Sequence, residues 1–169
     1  MRKIYLAGPD VFREKPGEFF NEIKEKLKFI GFEALVPHDT DLIMSSIPPH
    51  EFSLKIYKNN MEMIDQCDIV LANIIPFRGP SADVGTVFEM GYAKGIGKRV
   101  LAYSEWLDLN YKTRIFIDSG LLNLVGSRYP AIEDFKLTDN LMVVYGAEKI
   151  FSSLDDVLKH LKEEDLKNE

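Results

Sequence analysis

The sequence has a single cysteine, no run of basic residues and no apolar stretch of membrane-spanning length. Cys67 alone cannot form an intrachain disulfide, which suits a reducing compartment. The formal net charge of −6 argues against nucleic acid as the main partner, although it is compatible with a small neutral ligand. The apolar residues 4–7 are too few for a signal peptide and end at Gly8-Pro9. We therefore expect a soluble cytoplasmic protein with no membrane partner.

The remaining composition is that of one folded unit. Hydrophobic residues make up 46% of the 169 residues and charged residues 28%, a balance that supports a sizeable core and argues against disorder. This length predicts a single domain over residues 1–169, with a charged tail from about residue 163.

Short apolar segments alternate with amphipathic segments along the chain. Apolar residues at helical spacing predict helices over 19–30, 53–65, 83–94 and 115–125, and a final helix near the end of the chain. Ser53 is the predicted N-cap of the second helix, and Ser152 or Ser153 that of the final helix. Strands are predicted at residues 3–7, 34–36, 68–73, 99–103 and 141–144. This alternation predicts an α/β, flavodoxin-like three-layer sandwich with a five-stranded parallel sheet in the order 2-1-3-4-5. In such sheets ligands bind beyond the carboxyl ends of the strands.

The most informative segment runs from residue 83 to residue 93, after the third strand. Asp83 is placed to cap a helix, and Glu89 lies among apolar neighbours in that helix. A carboxylate in such surroundings is either buried with a partner or faces a cleft, and both settings shift its pKa. Alternatively, Asp83 only caps the helix and Glu89 lies on a narrow solvated stripe.

Two carboxylates beside one cleft can cleave a glycosidic bond. Asp83 and Glu89 do not share a helical face, but they can converge if Asp83 lies just before the first turn. The phenol of Tyr5 on the first strand can reach the same edge of the sheet, although a core aromatic residue is the simpler interpretation. Asp68 is expected to make a structural hydrogen bond.

Two loops carry weaker signals. His38, Asp39 and Asp41 form a small cluster of metal-ligand types, but no second matching set accompanies it, so we expect no metal. In the loop 76–81, Phe77 could stack on a base and Arg78 could hydrogen-bond to it. An ordinary exposed loop is equally compatible with these residues.

Four motifs together resemble the nucleoside 2-deoxyribosyltransferase family, over almost the whole chain. They are Tyr5-Leu6-Ala7-Gly8-Pro9, Cys67-Asp68-Ile69-Val70-Leu71-Ala72, Asp83-x-Gly85-Thr86-x-x-Glu89-x-Gly91-Tyr92-Ala93 and Asn140-Leu141-Met142. The order and spacing of the four motifs make the resemblance specific, since any one of them alone is weak.

The resemblance implies a role for several residues. Glu89 matches the nucleophile that forms a covalent deoxyribosyl–enzyme, Tyr5 matches a tyrosine that positions this carboxylate, and Asp83 matches an aspartate at the sugar and base. Asn140 and Met142 match residues that reach the active site of a neighbouring subunit, which implies a homo-oligomer, a dimer or larger. The resemblance also implies a flavodoxin-like fold, no cofactor, and deoxynucleosides and free nucleobases as substrates.

Further substrate-binding candidates are Gly8, Phe12 and Asn60, in addition to Phe77 and Arg78. Asn60 departs from the family pattern, because many members have an aspartate there that contacts or protonates the base. An amide cannot act as a general acid, although it can donate and accept hydrogen bonds. Asp83, a water molecule or the chemistry of the second substrate could then protonate the leaving base.

Two other functions compete with deoxyribosyl transfer. A hydrolase of 2-deoxynucleoside 5′-monophosphates would use a similar glutamate but needs a phosphate cradle, to which Ser81 and Gly85 could contribute. A non-catalytic nucleotide-binding module would not need a poised carboxylate at position 89.

Overall fold

The computed structural model describes residues 1–37, 47–118 and 132–168 of the chain. Within these ranges the strands are β1 (Arg2–Ala7), β2 (Phe32–Leu35), β3 (Ile69–Asn73), β4 (Arg99–Tyr103) and β5 (Lys149–Phe151). The α-helices are α1 (Pro16–Phe29), α2 (Pro49–Gln66), α3 (Val84–Gly95), α4 (Tyr111–Ile117), α5 (Leu141–Val144) and α6 (Leu154–Asn168). A 3-10 helix, Pro9–Phe12, follows β1.

The five strands form one parallel sheet in the order β2-β1-β3-β4-β5. The predicted fold class and strand order are therefore confirmed. The central strand β3 is buried at every position, as its apolar sequence predicts for a parallel sheet with both faces covered. The predicted structural role of Asp68 is also present, because its Oδ2 accepts a hydrogen bond from the Lys3 N–H at 2.7 Å.

Alternation along β1 divides the core between the two faces of the sheet. Ile4 and Leu6 pack into a cluster that includes residues of α1 and α6, whereas Tyr5 and Ala7 pack into a second cluster on the opposite face. The second cluster includes Ile64 of α2 and Met90 of α3. The period of two in a strand thus places Tyr5 on the α2 and α3 side of the sheet.

The predicted fifth strand at residues 141–144 is wrong. These residues form the short helix α5, which Asn140 caps by accepting a hydrogen bond from the Met142 N–H at 2.9 Å. Four consecutive apolar residues are compatible with a strand or a buried helical turn, so periodicity alone does not separate them. The fifth strand is instead Lys149–Phe151, which pairs with β4 at the edge of the sheet.

Two predicted helix starts have different outcomes. Ser53 is not the N-cap of α2, because the helix begins at Pro49 and the Ser53 hydroxyl donates to the His50 carbonyl oxygen within it. Proline is favoured in the first turn, where its missing N–H has no helical partner. Ser153 does cap α6, since its hydroxyl accepts from the Asp156 N–H at 3.2 Å.

The predicted helix at residues 115–125 overlaps α4, which is described as Tyr111–Ile117, and residues 119–125 lie outside the described part of the chain. No helix within the described ranges combines the length and the apolar composition that crossing a membrane requires.

Candidate active site

A cavity of about 480 Å³ opens beside the carboxyl end of β1, next to α2 and α3. Its volume is within the range typical of small-molecule sites. The described residues that line it are Gly8, Val11, Phe12, Pro37, Phe52, Ile56, Asn60, Asp83, Gly85, Thr86 and Glu89. The cavity therefore contains both carboxylates that the sequence singled out.

Glu89 is held by two neutral donors from different elements. The Tyr5 hydroxyl donates to Glu89 Oε1 at 2.8 Å, and Asn60 Nδ2 donates to the same oxygen at 3.2 Å. No residue in the described ranges hydrogen-bonds Glu89 Oε2. One carboxylate oxygen is thus fixed, and the other is available to a ligand.

The electrostatics of this carboxyl group are dominated by desolvation. Burial raises the pKa of Glu89 to about 7; the hydrogen bonds from Tyr5 and Asn60 oppose this shift, and the charge of Asp83 adds to it. Burial also raises the pKa of Tyr5, and the charge of Glu89 raises it further. Tyr5 therefore remains protonated and acts as a donor.

Asp83 occupies the N-cap of α3, as predicted. Its Oδ2 accepts from the Thr86 N–H at 3.0 Å and from the Thr86 hydroxyl at 3.2 Å. A carboxylate at this position is stabilised by the helix dipole. The cap also explains how Asp83 reaches the same cavity as Glu89 although the two residues do not share a helical face.

The loop after β1 is shaped by Gly8 and Asp10. Gly8 has a φ of 150°, and a Cβ there would lie 2.7 Å from Asn73 Cβ, so a larger residue would not fit. Asp10 is buried and accepts from Asn73 Nδ2 at 2.9 Å and from Arg13 Nε at 2.6 Å. These contacts hold Phe12 at the wall of the cavity.

Phe77 and Arg78 adjoin the cavity through Phe12 and do not line it. The rings of Phe12 and Phe77 are stacked, with their centroids 5.3 Å apart and an interplanar angle of 14°. The Arg78 guanidinium lies 4.7 Å from each centroid. Direct contacts of Phe77 and Arg78 with a base stay a prediction.

Asn140 and Met142 do not line the cavity of their own chain. Asn140 Nδ2 donates to Glu133 Oε1 at 2.8 Å, and Met142 is 72% exposed. The cluster of His38, Asp39 and Asp41 lies outside the described residues. Within the described ranges, no group of three or more His, Cys, Asp or Glu side chains is placed to hold a metal ion.

Several lining residues were not identified from the sequence. Phe52 and Ile56 precede the predicted Asn60 at intervals of four on α2, so helical periodicity places them on the same face as that residue. Thr86 is part of the motif around Asp83, but its contact with the Asp83 carboxylate depends on the cap geometry. Val11 and Pro37 have no signal in the sequence, because loop geometry alone brings them to the cavity.

Comparison with known proteins gives the family and the fold. The model of the nucleoside 2-deoxyribosyltransferase family matches residues 4–142. A 2-desoxiribosyltransferase from Leishmania mexicana is similar in structure, with a TM-score of 0.70 and 28% identity, over 96% of this chain and 98% of that one. A 2-deoxyribosyltransferase from Bacillus psychrosaccharolyticus shares the fold, with a TM-score of 0.60 and 24% identity, over 92% of this chain and 90% of that one.

An uncharacterized protein from Schizosaccharomyces pombe is 36% identical over 103 residues. This match covers 60% of the present chain and 49% of the relative, so it spans about half the length of the curated protein. Since the family model covers most of the chain and includes Tyr5, Asp83 and Glu89, the protein belongs to the nucleoside 2-deoxyribosyltransferase family.

Proposed function

We propose that this protein transfers 2-deoxyribose between nucleobases through a covalent intermediate on Glu89. The observation that carries this proposal is the state of the Glu89 carboxyl group. It lines the cavity, has a raised pKa and is fixed through Oε1 by Tyr5 and Asn60. Such a group is partly relieved of its solvation and has one oxygen free to attack.

The reaction proceeds in two displacements at one carbon. Glu89 Oε2 attacks the anomeric carbon, the bond from that carbon to the base nitrogen breaks, and its electron pair leaves with the base, which takes up a proton. A ring nitrogen of the second base then attacks the same carbon, the base loses its N–H proton to water, and the bond to Glu89 breaks to restore the carboxylate. Two inversions give net retention of configuration.

Asn60 and Asp83 have different tasks in this scheme. The Asn60 amide is neutral and cannot protonate the leaving base. Its Oδ1 is buried and has no hydrogen-bond partner among the described residues, so it can accept an N–H from the base. Asp83 uses Oδ2 for the helix cap, which leaves Oδ1 for a sugar hydroxyl. A water molecule then supplies the proton that the leaving base takes up.

The charge of the cavity favours a nucleoside over a nucleotide. Of its described lining residues, Asp83 and Glu89 are acidic and none is Lys, Arg or His. Among these described lining residues a 5′-phosphate would meet two carboxylates and no cation, at a cost that rises in a partly desolvated site. This arrangement argues against the competing 5′-monophosphate hydrolase.

We propose that the active site is completed by a second copy of the chain. Asn140 and the exposed Met142 do not line their own cavity, in agreement with a contribution to a neighbour's site. Leu54, Tyr57, Val84 and Phe88 also form an exposed apolar surface on α2 and α3, which we call the α2–α3 patch. Tyr57 and Phe88 are in ring contact within it, with centroids 6.3 Å apart. Apolar surface of this kind favours association.

The decisive experiment is a partition measurement on the purified protein. A 2′-deoxynucleoside is incubated with and without a saturating free base, and exchanged nucleoside and free deoxyribose are separated by chromatography. We expect exchange to exceed hydrolysis, because the apolar wall limits access of water to the intermediate. Predominant release of free sugar would favour a hydrolase, and no turnover at all would favour a non-catalytic module.

A matched pair of ribosides tests the sugar preference. A 2′-hydroxyl withdraws electron density from the oxocarbenium-like transition state, so ribosides should react more slowly even when they bind. Equal turnover of a riboside and its deoxyriboside would contradict this preference while leaving the role of Glu89 open.

A further inference from the structure

A buried ion pair lies outside the cavity, between α4 and the segment before α5. Asp139 is 2% exposed and Arg114 is 6% exposed, with Arg114 Nη2 3.4 Å from Asp139 Oδ2. Removing two charges from water is costly, and replacing such a pair with apolar residues is often neutral or stabilising. Stability alone is therefore a weak reason for this pair.

The Asp139 carboxylate binds two segments that are far apart in sequence. Oδ1 accepts from the Ser81 hydroxyl and from the Asn140 N–H, the latter at 2.7 Å, and Oδ2 accepts from the Ala82 N–H at 3.0 Å as well as from Arg114. Arg114 Nη2 also donates to the carbonyl oxygen of Thr138. One carboxylate thus ties the loop before α3 to the segment before α5.

Each tied segment leads directly to a residue of the proposed site. Ser81 and Ala82 precede Asp83, whose carboxylate lines the cavity and raises the pKa of Glu89. Asn140 follows Asp139 and caps α5, which carries the exposed Met142. A shift of Asp139 would therefore move Asp83 and the segment of Asn140 and Met142 together.

We infer that Asp139, held by Arg114, is a positioning residue. It fixes the position of Asp83 in the cavity of its own chain and also that of the Asn140–Met142 segment, which contributes to the site of a neighbouring copy. This inference rests on the proposed function for the role of Asp83 and Asn140. Neither Asp139 nor Arg114 lines the cavity, so both act through the segments that they hold.

The test compares a mild variant with a complete replacement of the pair. Ser81→Ala removes one donor to Asp139 and leaves no charge unpaired, and Ser81→Thr keeps the hydroxyl as the conservative rescue. The double variant Arg114→Met with Asp139→Leu replaces both charges with apolar side chains of similar size. Arg99→Met is the control, because it breaks the ion pairs of Arg99 with Glu148 and Glu164 at the amino end of β4, and none of these residues lines the cavity.

Two measurements are made on each folded variant. One is kcat and KM for base exchange, and the other is the titration midpoint of Glu89 in the unliganded protein, followed by NMR of carboxyl-labelled glutamate. We expect kcat to fall about 10²-fold in the double variant and about threefold in Ser81→Ala. The Glu89 midpoint should fall below its wild-type value in both variants. The negative charge of Asp83 raises the pKa of Glu89, and this effect weakens when Asp83 is no longer fixed beside it.

Kinetics within about twofold of the wild type, or an unchanged Glu89 midpoint, in a folded double variant would overturn the inference. If the double variant does not fold, Ser81→Ala and its rescue by Ser81→Thr decide the question by the same criteria. If the wild-type protein neither exchanges nor hydrolyses deoxynucleosides, the proposed function fails, whereas the Glu89 midpoint still tests the positioning of Asp83.

Discussion

Two carboxyl groups of this protein, those of Glu89 and Asp139, are removed from water in different ways. Asp139 is compensated by the Arg114 guanidinium and by donors from Ser81, Ala82 and Asn140. Glu89 has only the neutral donors Tyr5 and Asn60 among the described residues, and burial raises its pKa to about 7.

The difference indicates what each group is for. A carboxylate that is paired with a cation and fully hydrogen-bonded holds segments of the chain together. A carboxyl group that is desolvated without a cation costs stability whenever it is ionised, and this cost is expected where the group reacts.

Replacing Glu89 removes the proposed nucleophile. We expect Glu89→Ala and Glu89→Gln to reduce base exchange by at least about 10³-fold while the fold is retained. Initial rates of exchange at saturating substrate measure the loss, and Glu62→Gln on the exposed side of α2 is the matched control. Near-normal turnover in either Glu89 variant would exclude the nucleophile assignment.

The α2–α3 patch should be needed for activity if the site is shared between copies. Leu54→Lys combined with Tyr57→Lys places two charges on one face of α2, so we expect dissociation and a loss of exchange of about 10²-fold. Sedimentation and activity are measured on the same samples. Phe29→Lys, at a side chain that is 82% exposed on α1, is the control and should change neither. A fully active monomer would contradict the shared site.

The raised pKa of Glu89 predicts opposite pH dependences for stability and activity. Below pH 4.5 the carboxyl group is protonated in both the folded and unfolded states, so it does not affect stability. Between pH 4.5 and about 7 only the unfolded state ionises freely, so stability falls as pH rises, by about 3 kcal/mol in total. Attack requires the carboxylate, so kcat/KM should rise over the same region and level off above about pH 7.

Denaturant unfolding at several pH values, compared with Glu89→Gln, isolates the stability effect. The variant should be more stable than the wild type at pH 8 and equally stable at pH 4. A constant difference between the two proteins across this range would show that Glu89 is not desolvated in the fold.

Asn60 is expected to lower the pKa of Glu89 and not to stabilise the fold. Its Nδ2 stabilises the ionised carboxylate, whereas its buried Oδ1 has no partner in the described part of the chain. Asn60→Leu should therefore raise the Glu89 midpoint and reduce kcat/KM at pH 6 about tenfold, with stability equal to or above that of the wild type. The pH profile and the unfolding free energy are the two measurements. A variant with an unchanged profile would remove Asn60 from the site.

The fold could be predicted from the sequence, because the apolar runs of β1, β3 and β4 alternate with amphipathic helices. This pattern indicates buried strands of a parallel sheet. The convergence of Asp83 and Glu89 was also predictable, since a helix cap and a carboxylate in apolar surroundings are local features. The fifth strand was assigned wrongly, as the run of residues 141–144 is too short to show a period.

The two networks around the site were not predictable from local sequence. Asp139 and Ser81 meet across 58 residues of chain, and Asn60 meets Glu89 across 29. Neither pair has a periodic or spacing signal, because the first contact depends on how two loops meet and the second on how α2 packs against α3.

Phe77 provides the smallest expected effect, because it supports the cavity wall without lining it. Its ring stacks on Phe12, and Arg78 lies against both rings. Phe77→Leu keeps an apolar side chain but loses the stacking geometry, so Phe12 should become less well ordered. We expect KM for the base to rise about threefold with kcat unchanged, whereas Phe12→Leu, which alters the lining itself, should raise KM about tenfold. The comparison of the two variants is made by steady-state exchange at varied acceptor concentration. Equal effects would show that Phe77 contacts the base directly, and no effect of Phe77→Leu would show that Phe12 keeps its position without the stack.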